Sequence, residues 1–160
     1  MYYLLKYVLW PEDRKHQKPA DECSVSQDEL FVRKLVDATL LSGQLFTHLS
    51  HESDDREGEF IYIAPFQEQE PEIYGAAIQA AVNSSSGVSA RLDYLLWDGA
   101  AFQPPSRLFP APTFKRDLAA CLLNHYLVFG GLTYEMLFSI YDPAMDRVVL
   151  FLKEADSDEQ

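Results

Sequence analysis

The chain has 160 residues, a formal net charge of −12 and 48% apolar residues, with ten Phe and nine Tyr among them. That composition excludes a disordered or low-complexity polymer and indicates a globular protein. The acid excess opposes nucleic-acid phosphates and anionic membranes, so the expected partners include no nucleic acid and no membrane.

The charge is unevenly spread. Residues 52–72 hold Glu52, Asp54, Asp55, Glu57, Glu59, Glu68, Glu70 and Glu72 against the single base Arg56. A second acidic run, Glu154, Asp156, Asp158 and Glu159, follows Lys153. Elsewhere acids and bases nearly balance. No apolar run reaches the ~18–20 residues of a membrane span. Cys23 and Cys121 lie far apart, which suits free thiols in the cytoplasm better than a disulfide framework.

In chain order, residues 2–10 are apolar at nearly every position and read as a central first strand rather than a leader peptide. A polar stretch from Pro11 to Ser26 reads as an exposed loop containing Cys23. Ser26 and Glu29 form a capping-box pattern that opens a helix running through Val32, Val36 and Leu40 to Ser42-Gly43. Glu29, Arg33 and Asp37 fall on that helix's wet side. Residues 44–50 fit either a helix extension or a strand. Residues 60–64, FIYIA, are β-branched and aromatic and read as a strand. An Ala-rich helix follows over 72–82.

Alternation returns over 89–97, and Asp98-Gly99 signals a two-residue hairpin into a short strand over 100–103. A Pro-rich connector leads to a third helix over 113–128, with Gly130-Gly131 as its cap. A hairpin of two long strands, turning at residues 142–146, closes the pattern. The expectation is one α+β domain over 1–153, a mostly antiparallel sheet carrying about three helices, with a disordered acidic tail over 154–160.

Two groups invite a chemical reading. In HLSHESDDREGE, residues 48–59, His48 and His51 are three apart and share a face only on a helix, where neighbouring carboxylates complete a metal set. On a strand, His51 falls away into the turn. Asp117, Cys121 and His125 are spaced four apart and align on the third helix, where thiol and imidazole could pair as a nucleophile. Cys121 also lies within the apolar stripe of Leu118 and Leu122, which points to a core role. A small hydrolase built on either pair is the alternative function, and a structural or oligomeric component, including a homodimer, is the third. No cofactor motif is present in the sequence.

The leading expectation is a cytoplasmic protein-binding module that neutralises or chaperones a basic partner. An immunity or inhibitor protein of a bacterial toxin is one instance of that class. The expected contact residues are Glu52, Asp54, Asp55, Glu57, Glu59, Glu68 and Glu70, with Tyr62, Phe66 and Tyr74 as aromatic anchors.

Overall fold

The computed structural model describes residues 1–10, 19–67, 72–84, 91–106 and 109–155, and every structural statement below concerns these. The strands are β1 (Tyr2–Leu9), β2 (Asp21–Ser26), β3 (Ala38–Leu41), β4 (Gln44–Asp54), β5 (Gly58–Pro65), β6 (Leu92–Trp97), β7 (Phe102–Gln103), β8 (Tyr126–Phe129), β9 (Leu132–Asp142) and β10 (Arg147–Glu154). The helices are α1 (Gln27–Leu35), α2 (Gly75–Asn83) and α3 (Lys115–Leu122), with a 3-10 turn over Glu72–Tyr74. All ten strands join one sheet in the order β2-β1-β5-β4-β3-β9-β10-β6-β7, with β8 added to β9.

The architecture is α+β, and the sheet is mixed. Antiparallel pairing predominates, but β1–β5, β3–β9 and β6–β10 run parallel. Nothing in the strands' composition announced those three contacts, because parallel partners are chosen by long crossovers rather than by local turns.

Strand alternation divides the core between two faces. Along β6 and β10, Leu92, Tyr94, Val148 and Leu150 face α1 and α3, packing with Val32, Val36, Leu118 and Ala119. Phe151, Phe138, Ile140 and Ala38 face the other way, against Ile78 of α2 and Phe102 of β7. Beneath α1, the outer half-sheet contributes Leu5, Tyr7, Phe46, Ile61 and Ile63. Tyr7 and Phe151 have no exposed surface, and each such side chain contributes roughly 1.5–3 kcal/mol through removal from water.

The two halves of the sheet come from different parts of the chain and meet at β3–β9. That ladder registers only Ala38 with Ile140 and Thr39 with Tyr141. Polar groups reinforce it. Asp37 Oδ2 accepts from Ser139 N at 2.9 Å and from Ser139 Oγ at 3.2 Å, while Asp37 N donates back to Ser139 O at 3.0 Å. Arg33, only 7% exposed, lies over the Tyr141 ring at 4.8 Å. Its guanidinium donates to Tyr7 Oη at 3.3 Å and to Cys23 Sγ at 3.3 Å, and it pairs with Glu29 at 3.3 Å. One cation thus ties α1 to β1, β2 and β9.

Several sequence expectations change here. α1 ends at Leu35 rather than at Ser42-Gly43, because Val36 turns to an extended backbone (φ −69°, ψ 157°) and the chain lays down β3. Arg33 faces the core rather than solvent, because that side of α1 packs over Tyr7 and Tyr141, and Asp37 leaves the helix to bind Ser139. Ser26 does cap α1, accepting from Glu29 N at 3.2 Å, but the Glu29 carboxylate turns to Arg33 and Lys115. The segment Asp21–Ser26 is the edge strand β2, not a loop, so Cys23 sits beside Arg33. Residues 44–50 belong to a strand. The Asp98-Gly99 turn is a four-residue connection, since Trp97 registers with Phe102. α3 stops at Leu122, and Gly130-Gly131 joins β8 to β9 instead of capping it. Glu154 still belongs to β10, and the remainder of the acidic tail lies outside the described residues.

The buried guanidinium should therefore be far more costly to remove than the partly exposed ammonium of its neighbour. Arg33→Ala leaves Glu29 and Tyr7 without their partner, and urea unfolding should show a loss of roughly 3–5 kcal/mol. Lys34→Ala, which deletes a looser pair with Glu59 at 3.5 Å, should cost no more than about 1 kcal/mol. Equal effects would contradict the placement of Arg33.

Candidate functional site

The acidic segment is built on the β4–β5 hairpin, whose tip is held rather than loose. Asp54 Oδ1 accepts from Arg56 N at 2.9 Å and from Glu57 N at 3.1 Å, closing the turn with a side chain. Gly58 then adopts φ +104°, and a Cβ there would lie 2.7 Å from the Leu4 carbonyl oxygen. Only glycine fits, so the tip is pinned against the start of β1.

This geometry sorts the acids into different roles. Asp55 and Glu57 stand exposed at the tip beside Arg56. Asp54 is the turn's own acceptor. Glu59 lies on the α1 face and pairs with Lys34 at 3.5 Å, while Lys34 Nζ also donates to Ser53 Oγ at 3.4 Å. Glu52 projects from the opposite face and accepts from Tyr62 Oη at 3.3 Å. Glu68 and Glu70 lie outside the described residues.

The three candidate anchor rings are tucked into packing. Tyr62 is 9% exposed, stacked on Phe60 and edge-on to Trp10 at 6.0 Å. Phe66 packs against Phe138 at 5.7 Å, and Tyr74 against Trp97 at 5.1 Å. Trp10, by contrast, is 57% exposed beside Tyr62. It was passed over in the sequence because it completes an apolar run, where a ring reads as core.

The histidines behave unlike either sequence-based alternative. β4 is a strand, yet His48 and His51 share its α1 face with ring centroids 5.8 Å apart. A bulge between His48 and Ser50 shifts the register by one, leaving Leu49 exposed and returning His51 to the face of His48. His48 Nε2 and Thr39 Oγ1 share a hydrogen bond of 2.6 Å, and its buried Nδ1 has no well-formed bond among the described residues. Burial, with help from neighbouring His51, pushes the His48 pKa down to about 3, against weak support from the Val36 backbone. His51 is shifted down as well, by burial and by the Lys34 charge. Both imidazoles are thus neutral near pH 7. Among the described residues, no group of three or more His, Cys, Asp or Glu side chains is placed to hold a metal ion.

The second pair does not assemble as a helical row. With α3 ending at Leu122, His125 lies beyond the helix and is exposed, and its carbonyl accepts from Met136 N at 2.9 Å. Asp117 is exposed, whereas Cys121 is half-buried against the α1–α3 core, where desolvation raises its thiol pKa. Cys23 is also half-buried, and burial raises its pKa despite the adjacent Arg33.

Comparison with protein-family models, with curated proteins and with solved structures found no match.

The neutral, part-buried His48 makes stability depend on pH in a defined direction. The unfolded state takes up a proton below about pH 6.5, whereas the folded state resists it down to about 3. Stability is therefore fully retained above that upper value and lost as pH falls through the window. Between pH 7 and pH 5, wild type should lose roughly 2 kcal/mol more than His48→Gln in urea unfolding. Parallel losses in both proteins would show that His48 is not held neutral.

Proposed function

We propose that residues 1–153 form a single protein-binding domain, working in the cytoplasm, that neutralises or chaperones a basic protein partner. The single observation that carries this reading is the pinned β4–β5 tip, which presents Asp55 and Glu57 to solvent. Fixed carboxylates lose little conformational freedom when they meet a cation, so they steer encounter and set register more effectively than a floppy acidic loop. Glu52 and Glu59 flank the tip on the hairpin's two faces, extending the negative field beyond it. Exposed Trp10 is the aromatic group best placed to support docking on the Glu52 side. A toxin inhibitor is one form this function takes, with the carboxylates pairing the Lys or Arg side chains that a partner uses on its own substrate.

A second reading, self-association, is favoured by β8. Among the described residues it pairs only with β9, and its Tyr126 and Val128 are 58% and 69% exposed. An open strand edge of that character can add to a second copy.

The structure separates the acids that can be reversed safely from the one that cannot. The double reversal Asp55→Lys/Glu57→Lys should change stability by less than about 0.5 kcal/mol. It should slow association with a partner purified from the native host by about tenfold or more at low salt, with a flattened salt dependence. Asp54→Lys should instead destabilise the hairpin itself by about 1 kcal/mol through loss of the turn acceptor. Unchanged association in the double variant would reduce the tip to a solubilising surface.

A further inference from the structure

A cleft of about 210 Å3 lies between the end of β6 and the C-terminal end of β10, well away from the acidic hairpin. The strands that wall it are β6, β9 and β10, and in the sheet β3 lies between them and β4. Among the described residues, its walls include Trp97, Phe109, Leu132 and Tyr134. Phe109 and Tyr134 are 8% and 3% exposed and meet edge-to-face at 5.0 Å, which gives the cleft a rigid aromatic floor. Glu154 also lines it and is itself exposed, which places a carboxylate at the rim. No cation among the described residues forms an ion pair with Glu154, since neighbouring Lys153 reaches across to Glu135 at 3.8 Å.

We infer that this cleft receives an arginine side chain of the basic partner. The inference rests on the proposed reading of a cationic partner and adds a second, chemically selective contact to it. The space is smaller than the roughly 300–1,000 Å3 of pockets for drug-sized ligands, and it suits one long side chain. Apolar and aromatic walls accept the methylene stem and attract a cation over the ring faces. The rim carboxylate supplies the opposite charge. Arginine fits better than lysine because its planar, weakly hydrated head stacks on rings and can bind a carboxylate through two parallel hydrogen bonds.

The test uses the full chain, isotopically labelled, titrated at low salt with a hexa-arginine peptide and with the uncharged hexa-citrulline analogue. The Trp97 indole N–H reports the cleft, and the Asp55 and Glu57 amides report the hairpin. Hexa-arginine should shift the Trp97 signal saturably, and hexa-citrulline should leave it in place. Glu154→Gln should weaken the affinity read at Trp97 by about fivefold. Glu22→Gln, an equal charge loss on the far edge strand β2, should leave it unchanged. A silent Trp97 with responding Asp55 and Glu57 amides overturns the cleft and leaves the hairpin reading standing. A responding Trp97 with silent hairpin amides upholds the cleft and counts against the hairpin. Silence at both overturns both, and equal binding of hexa-citrulline shows an apolar cleft without cation selectivity, which also overturns the inference.

Discussion

The sheet holds together through a parallel contact only two residue pairs long, where β3 meets β9. On one side lie strands from the first 65 residues, and on the other lie strands from residue 92 onward. A ladder that short supplies few backbone hydrogen bonds, so side chains complete it. Asp37 and Ser139 exchange four hydrogen bonds across the seam, involving both backbone and side chain. Thr39, fully buried in the seam, satisfies its hydroxyl through His48. Arg33 adds a charge, which is expensive to desolvate and tolerable only because Tyr7, Glu29 and the Tyr141 ring surround it. Polar groups under such constraint fix a unique arrangement where apolar packing alone would permit sliding.

The same network reaches the second half of the molecule. Glu29 pairs with Lys115 at the start of α3, and Lys115 also pairs with Asp146 in the β9–β10 turn at 3.1 Å. Asp146 in turn accepts from Tyr141 Oη at 2.7 Å. Burial works against the Asp146 carboxylate, but Tyr141 and Lys115 hold its pKa below the ordinary value. α1 is thereby anchored to α3 and to the sheet through one continuous polar chain. This explains why a nine-residue helix with a modest apolar face occupies the centre of the fold.

What could be read from the sequence follows from how local each signal is. β1, β5 and the β9–β10 hairpin were legible because their side chains alternate or run apolar without interruption. The Ser26 cap was legible because its chemistry is confined to four residues. β2 was not, since at an edge only Cys23 and Val25 of Asp21–Ser26 need face the core, and the remainder reads as loop. α1 was overextended because Val36, Thr39 and Leu40 satisfy helical spacing, although Val36 ends the helix and Thr39 and Leu40 serve β3. β8 was hidden for a similar reason, its four residues being apolar enough to continue α3. At the candidate site the acids were visible, but their division into turn acceptor, ion-pair member and exposed tip was not. That division depends on hydrogen bonds to Arg56, Glu57 and Lys34, which composition does not report. The shared face of His48 and His51 was likewise invisible, because a bulge changes strand parity without leaving a distinctive residue.

These constraints bear on function through rigidity. The β4–β5 tip is fixed by Asp54 and by the close approach of Gly58 to Leu4, and the strands beneath it are anchored through the seam. The central claim is that this fixed tip is where a basic protein docks. Zero-length carbodiimide cross-linking in lysate of the native host, followed by peptide mass spectrometry, addresses it most directly. The account predicts amide links from Asp55 or Glu57 to lysines of one protein, formed at low salt, suppressed at high salt and absent from an Asp55→Asn/Glu57→Gln variant. Links scattered over the remaining acids with Asp55 and Glu57 unmodified, or a pattern unchanged in that variant, would contradict it.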